Sequence, residues 1–392
     1  KEEAQGSFHT NELGHLVYSN ALPPLGRGYH VVSEIGQGTF SRIFKSTMPS
    51  SSSYVAIKAS KVGFQILGFR EACFLRYFAS KTPYGSRHFL GLIDTFEFEG
   101  HHCLALELCK ATLVDYIALP EGNKEKVQGQ VKRSKARNAA DSLQGGGGGS
   151  SSASPAGQAA SASSTTGGKR DVDFNIIRRV ALGMASALAL MQAEHAIHAD
   201  IKPENILLTW SAGSGIHPEE GLDKRLKGGK NINDLPYGAE VRLADFGNAM
   251  HISELQDREM EYNVQTLPYR APEVLFGMLY NEQIDMWSYG LVVLELCLGR
   301  AFLDANTKEA ILYQISSRLV KLPLNKYESG HYYDQLLATG DQPGRLFGAA
   351  DGFLIDEMSS ESNSNAYFAY LLARMKHVLT EACNNVPPEF VN

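Results

Sequence analysis

Cysteine is scarce here and badly placed for its common structural uses. The five in 392 residues, Cys73, Cys103, Cys109, Cys297 and Cys383, are odd in number and scattered, mostly inside apolar runs. That argues against a disulfide framework, offers no CxxC pair to a metal, and fits a reducing interior, nucleus or cytoplasm. Basic charge is not in excess either. With 37 Lys and Arg against 43 Asp and Glu the net charge is −6, which speaks against wholesale binding to nucleic acid or a membrane surface. The longest apolar run, Ile284 to Leu298, is broken by Asp285, Ser288 and Glu295 and is too short to span a bilayer, so it reads as a buried core helix. No signal-peptide pattern opens the chain, and its start at KEEAQGSFHT, without an initiator Met, is what a fragment would show.

What is present is ordinary globular material. A hydrophobic fraction of 43% with 9% aromatics, over 392 residues, supports two cores. Residues 1–28 form an N-terminal extension. Residues 29–109 carry short β-branched or aromatic runs separated by turn residues, and only QILGFREACFLRYFASK among them has helical spacing. Residues 110–392 are mainly helical: Ile177, Val180, Ala181, Met184, Leu188 and Met191 recur at steps of three and four behind the N-cap candidates Asp171 and Asp173. The expected fold is α+β, a small sheet lobe followed by a larger helical lobe. Two polar, Gly-rich stretches, 121–170 and 211–239, are expected to loop out of it. The first contains the basic residues Lys132, Arg133, Lys135 and Arg137, readable as an import signal, a docking patch or a solvated loop.

Polar residues at fixed steps beside apolar strands carry the chemistry. In IGQGTFSRI (Ile35 to Ile43), Gly36 and Gly38 let the backbone approach phosphate oxygens, although a tight hairpin uses the same glycines. VAIK puts Lys58 at the end of a strand, where burial without a partner is costly, and Glu71 on the next helix supplies one; each is also common as a solvated surface residue. HADIKPENIL sets Asp200, Lys202 and Asn205 on one loop before the strand Ile206-Leu207-Leu208. There they suit an attacking hydroxyl, a transferred phosphoryl group and a hard cation, or else simply cap a turn. LADFGNA adds Asp245 at a strand end, suited to magnesium, and YRAPEVLFG (Tyr269 to Gly277) follows.

This order resembles the eukaryotic protein kinases over about residues 30–315: glycine loop, VAIK lysine, helix glutamate, a loop of the HRDxKxxN kind, DFG and APE. QTLPYRAPEVLFG is similar to the TLWYRAPE segment of cyclin-dependent kinases, and HADIKPENIL to dual-specificity tyrosine-regulated and pre-mRNA-processing kinases, hence the CMGC group. The resemblance implies a bilobal fold with ATP and Mg2+ as cofactors, Asp200 as base, Lys202 beside it, Lys58 with Glu71 as ion pair, and Asn205 and Asp245 as metal ligands. It implies a nucleotide site of Ile35, Gly36, Gln37, Gly38, Thr39, Phe40, Ser41, Ile43, Ala56 and Lys58, with Leu106 as gatekeeper and the backbone of Glu107 and Cys109 facing adenine. In its activation segment, Thr266, Arg270 and Glu273 match motif positions, and Arg270 implies selection of proline after the acceptor. Substrates would be protein Ser or Thr for a monomeric catalytic domain, with possible docking through 121–170 and no nucleic acid or membrane partner.

The departures matter as well. Ala199 replaces the arginine that grips an activation-loop phosphate, Glu261 stands where cyclin-dependent kinases place a phosphothreonine, and Tyr262 falls one step before Asn263, where relatives carry a phosphotyrosine. The expectation is a kinase that does not need loop phosphorylation. Ser41, Ala199 and the lack of a DPxxR segment to pair with Glu273 feed a rival reading, an inactive scaffold, while Pro268 in place of an aromatic alters the expected substrate pocket. His198 is expected to pack and hydrogen-bond in the core, and Cys109 to be an apolar filler.

Overall fold

The structure is a computed structural model that describes residues 8–18, 24–49, 51–81, 85–117, 169, 171–210, 232–255, 263–319, 322, 324–338 and 376–387. Strands β1 (His9–Thr10) and β2 (Leu16–Val17) form a hairpin in the expected N-terminal extension. It is stitched to the small lobe: Phe8 meets Phe98 edge-on at 5.0 Å, and Thr10 Oγ1 lies 2.8 Å from His101 Nε2.

The small lobe is a five-stranded antiparallel sheet in the order β3-β4-β5-β7-β6, from β3 (His30–Gln37), β4 (Ser41–Thr47), β5 (Tyr54–Ser60), β6 (Leu92–Phe98) and β7 (His101–Glu107). Strand periodicity divides β5 between two faces. Val55, Ile57 and Ala59 join Phe44, Phe96 and Leu16 in one core, while Ala56 faces the other, beneath helix α1 (Gln65–Lys81). Gly68 sets how closely that helix lies on the sheet, since a Cβ there would sit 2.5 Å from Ser60 Oγ and 2.9 Å from the His102 ring.

The large lobe is built on α2 (Phe174–Ala193) and α4 (Gln283–Leu298), with short α3 (Pro272–Phe276), α5 (Lys308–Gln314) and α6 (Tyr333–Ala338) around them. Asp173 caps α2 by accepting the Asn175 N–H at 2.9 Å. Helix α2 is long and apolar enough to cross a membrane, but its stripe of Ile177, Val180, Met184, Leu188 and Met191 is buried in the large core. The run expected as a core helix is α4, ended by Gly299 at φ 68°. Strands β8 (Ala111–Thr112), β10 (Ile206–Thr209) and β11 (Glu240–Leu243) form a sheet in the order β11-β10-β8, and β9 (Ala196–Ile197) pairs with β12 (Met250–His251).

One boundary needs correction. The stretch expected to loop out to 239 has rejoined the body by Ile232, which with Leu235 and Ala239 is buried in the large core. Burying such side chains contributes roughly 1.5–3 kcal/mol each, enough to outweigh the polar composition around them. Residues 121–168, 170 and 211–231 of the two expected inserts lie outside the described residues, as do 339–375 and 388–392, which include parts of the tail that shows no DPxxR segment.

Candidate active site

The two lobes meet along a line of polar side chains. Lys58 Nζ, projecting from β5, donates to Glu71 Oε2 at 2.6 Å and to Asp245 Oδ1 at 2.8 Å. Glu71 is 1% exposed, on the inward face of α1 with Ala72, Leu75 and Phe78. A carboxylate this deep is stable only when paired. Burial by itself would lower the Lys58 pKa, but Asp245 and Glu71 outweigh it and hold the ammonium above the ordinary lysine range. Burial likewise opposes charge on Asp245, yet Lys58 holds that carboxyl down at about 2.

Helix α1 is held over the cleft from both ends. Lys81 Nζ reaches Glu194 Oε2 at 2.7 Å, the Tyr77 hydroxyl donates to the same carboxylate, and Arg70 Nη2 lies 3.7 Å from Glu254. Between these ties Phe246, after Asp245, packs in an aromatic group with Phe74, Phe78, Phe89 and the His198 ring, its centroid 4.8 Å from the last.

Asp200 sits opposite. Its Oδ1 accepts from Thr266 Oγ1 at 2.7 Å, and its Oδ2 from Lys202 Nζ at 2.7 Å and Asn205 Nδ2 at 3.2 Å. Asn205 Nδ2 also donates to the Asp200 carbonyl at 2.8 Å, so its amide nitrogen is committed and its oxygen is the atom left for a cation. The loop is fixed from below by Asp285, which accepts the His198 and Ala199 N–H groups at 2.6 and 3.0 Å. Burial pushes the Asp285 carboxyl up to about 7 against those donors. His198 behaves as expected of a core residue: it is buried, its Nε2 pairs with the Ala244 carbonyl at 3.0 Å and its Nδ1 accepts the Asp200 N–H at 3.3 Å, with burial lowering its pKa. Ala199, Asp245 and Gln265 hold φ of 62°, 65° and 65°, left-handed values that cost a non-glycine residue about 1–3 kcal/mol and gather at functional sites.

Gly36 and Gly38 flank the turn between β3 and β4, closed by the Gly38 N–H on Ser41 O at 2.9 Å. Neither needs a positive φ, and a Cβ on either would make only ordinary contacts, 3.4 Å at the nearest. The hairpin therefore does not by itself demand glycine at either position. Ile35 and Phe40 are exposed beside this turn, while Ala56 and Leu106 are buried. The Glu107 N–H is committed to Gly91 O at 2.8 Å, and its carboxylate accepts Arg242 Nε at 3.2 Å, a clasp between the lobes. Burial drives the Cys109 thiol up to about 12, which suits an inert filler.

On the far side, Arg270 Nε and Nη2 both donate to the Gln265 carbonyl, at 3.2 and 2.8 Å. Gln265 donates to Ile284 O and Ser288 Oγ, both at 2.8 Å, and Tyr269 to Glu295 Oε2 at 2.6 Å. No cation pairs with Glu273 among the described residues, and burial raises its pKa. Glu261 and Tyr262 lie outside the described residues. Sequence reading missed Gln265 and Arg242, which no motif flags, and assigned no role to Asp285, although a lone carboxylate inside an apolar run was a usable sign.

A protein kinase domain model matches residues 159–342. Serine/threonine-protein kinase AFC1 of Arabidopsis thaliana is 24% identical over 316 residues, 79% of this chain and 56% of that protein. Serine/threonine-protein kinase ppk15 of Schizosaccharomyces pombe is 26% identical over 351 residues, 88% of this chain and 51% of that one. Dual specificity tyrosine-phosphorylation-regulated kinase mbk-2 of Caenorhabditis elegans is 24% identical over 80% of this chain and 29% of its own length. The chain thus spans about half or less of the length of these relatives. A crystal structure of the PF14_0431 kinase domain aligns over 95% of this chain and 89% of its own, with a TM-score of 0.57 and 19% identity, a likeness of fold.

Proposed function

We propose that this chain, which belongs to the protein kinase family and has CMGC-group relatives, transfers the γ-phosphoryl group of ATP to Ser or Thr of protein substrates that carry proline after the acceptor. The observation that carries this is the convergence of Lys58, Glu71, Asp200, Asn205 and Asp245, far apart in sequence, in two hydrogen-bonded groups that the Ala244 N–H joins by donating to the Asn205 carbonyl at 3.0 Å. Asp200 accepts the proton as the acceptor oxygen bonds to the γ-phosphorus and the bond to the bridging oxygen breaks; Lys202, 2.7 Å away, offsets the charge there. Lys58 holds the nucleotide phosphates. Asn205 Oδ1 and the Asp245 carboxylate are hard oxygen donors of the kind magnesium takes, and they are the residues that would hold it. When bound, the cation neutralises phosphate charge.

Proline selection follows from the double bond to the Gln265 carbonyl. With that acceptor occupied by Arg270, an incoming backbone N–H finds no partner, and proline has none to strand. A scaffold without turnover would have little use for the intact Lys58, Asp200 and Asp245. Phosphorylation of a positional peptide library with radiolabelled ATP, run beside Asp200→Asn, tests the whole. Equal incorporation by both proteins would overturn the assignment, and no choice of proline would remove the specificity. We place the protein inside the cell, nuclear or cytoplasmic, on the odd number and scatter of its five cysteines, which cell fractionation would check.

A further inference from the structure

Helix α5 packs against the turn Leu267–Tyr269, directly before Arg270, and against α3. Its first residue, Lys308, lies half-buried with Nζ 3.7 Å from the centroid of the Tyr332 ring. That ring is held at the same place by the Tyr332 N–H on Phe276 O at 2.9 Å, and it closes on Gly277, whose Cβ would meet it at 2.8 Å. Burial lowers the pKa of Lys308 to about 8, with repulsion from Arg270 adding to it and Glu309 only partly offsetting it. Burial also lowers Arg270, to about 10, with Asp200 and Tyr332 acting the other way. Neither cation has an ion-pair partner among the described residues, because both nitrogens that Arg270 engages go to a carbonyl and Lys308 faces an aromatic ring. Two half-buried cations without an ion pair are thus held at the edge of the substrate pocket, each at a cost of burial to which Arg270 adds repulsion at Lys308, and an anion is what would relieve it.

We propose that Lys308 and Arg270 frame an anion subsite that receives a carboxylate or phosphate side chain of the substrate on the C-terminal side of its proline. This rests on the phosphotransferase reading and adds to it a substrate class, Ser or Thr followed by proline and then an acidic or already phosphorylated residue. Lys308 supplies a point charge over an aromatic platform, and Arg270 a nitrogen of its guanidinium fork.

Peptides with an acceptor-proline core, followed at successive downstream positions by Glu, phosphoserine, Ala or Lys, test it on wild type, Lys308→Ala and Lys308→Glu. Steady-state kinetics would be run beside fluorescence anisotropy of the same peptides with the acceptor replaced by Ala. The wild type is expected to favour Glu or phosphoserine over Ala by on the order of fivefold, expressed in KM and affinity rather than kcat. Lys308→Ala levels the series, and Lys308→Glu inverts it toward Lys. A larger gain for phosphoserine than for Glu marks phosphate as the ligand, and equal gains mark charge alone. A flat wild-type series, or a preference that survives Lys308→Glu, overturns the subsite. Should no peptide be phosphorylated, the kinase reading fails by itself, and the anisotropy ranking still decides the subsite.

Discussion

On the nucleotide side of the cleft, buried charges meet their opposites inside the protein: Lys58 lies 2.6 and 2.8 Å from two carboxylates and Lys202 lies 2.7 Å from a third. On the substrate side they do not. Arg270 and Lys308 form no ion pair with a carboxylate, and Glu273, Asp285 and Glu295 none with a cation, among the described residues. The contrast teaches where preorganisation comes from. Matched charges hold a geometry before anything binds, whereas unmatched ones rely on packing and neutral hydrogen bonds, and some of them wait for a ligand that brings the missing charge.

Removing the proposed base tests the matched side most severely. Asp200→Asn is expected to cut peptide phosphorylation by roughly 10²–10⁴-fold with little change in nucleotide affinity, read by initial rates and calorimetry. If the rate held, Asp200 would be only the anchor of its loop. Stability sharpens the contrast next. Lys58→Met leaves buried Glu71 uncompensated and should cost about 3–5 kcal/mol in chemical denaturation, while Lys308→Met, which separates no ion pair, should cost under about 1 kcal/mol. Similar losses for both would erase the distinction between the two sides.

The unmatched carboxylates give a pH signature. Burial, opposed by the Tyr269 hydroxyl bond, raises Glu295 from 4.5 to about 7 in the fold. The folded state therefore holds this proton more tightly than the unfolded one. Its contribution to stability is complete below about pH 4.5 and is lost as pH rises through about 7. Glu295→Gln keeps an acceptor for Tyr269 and removes the titration, so the variant should gain on wild type between about pH 5 and pH 8 by roughly 2 kcal/mol. A constant difference across that range in thermal melts would refute it. A smaller effect is expected from Arg270→Ala, which frees the Gln265 carbonyl and should reduce the advantage of proline over alanine after the acceptor by roughly tenfold. An undiminished advantage would locate proline selection elsewhere.

The matched side was the legible one. Lys58, Glu71, Asp200, Asn205 and Asp245 are polar residues set in or beside apolar strands and helices, each with a bland reading by itself, and it is their order along the chain that picks them out. The helices over Gln65–Lys81 and Gln283–Leu298 were legible from local pattern. The substrate side depends on contacts that no spacing encodes. A glutamine at φ 65° carries no mark of its backbone, and Lys308 looks like any helix-start lysine until Tyr332 folds over it. Ile232 and Leu235 were passed over because their neighbours are polar, and only the core they enter makes them structural.

The smallest expected effect bears on how the unmatched side stays ordered. Ala199, fully buried at φ 62°, lies in an apolar cluster with Ile197, Val264, Ala271, Val274 and Ile284, and Met250 and Ile252 pack against it. An arginine at that position would clamp a phosphate; alanine instead lets Val264 and the helix that follows close on it through burial, at roughly 25 cal/mol per Å² of apolar surface. The segment is also tied by the Gln265 N–H on Ala199 O at 2.9 Å, a backbone bond that needs no modification. Phosphatase treatment should therefore leave the rate within about twofold, whereas Val264→Asp, which puts an unpaired charge into the cluster, should lower it well beyond that. Activity abolished by the phosphatase and restored by rephosphorylation of the segment would mean that packing does not hold it, and that the substrate side too waits on a supplied charge to become ordered.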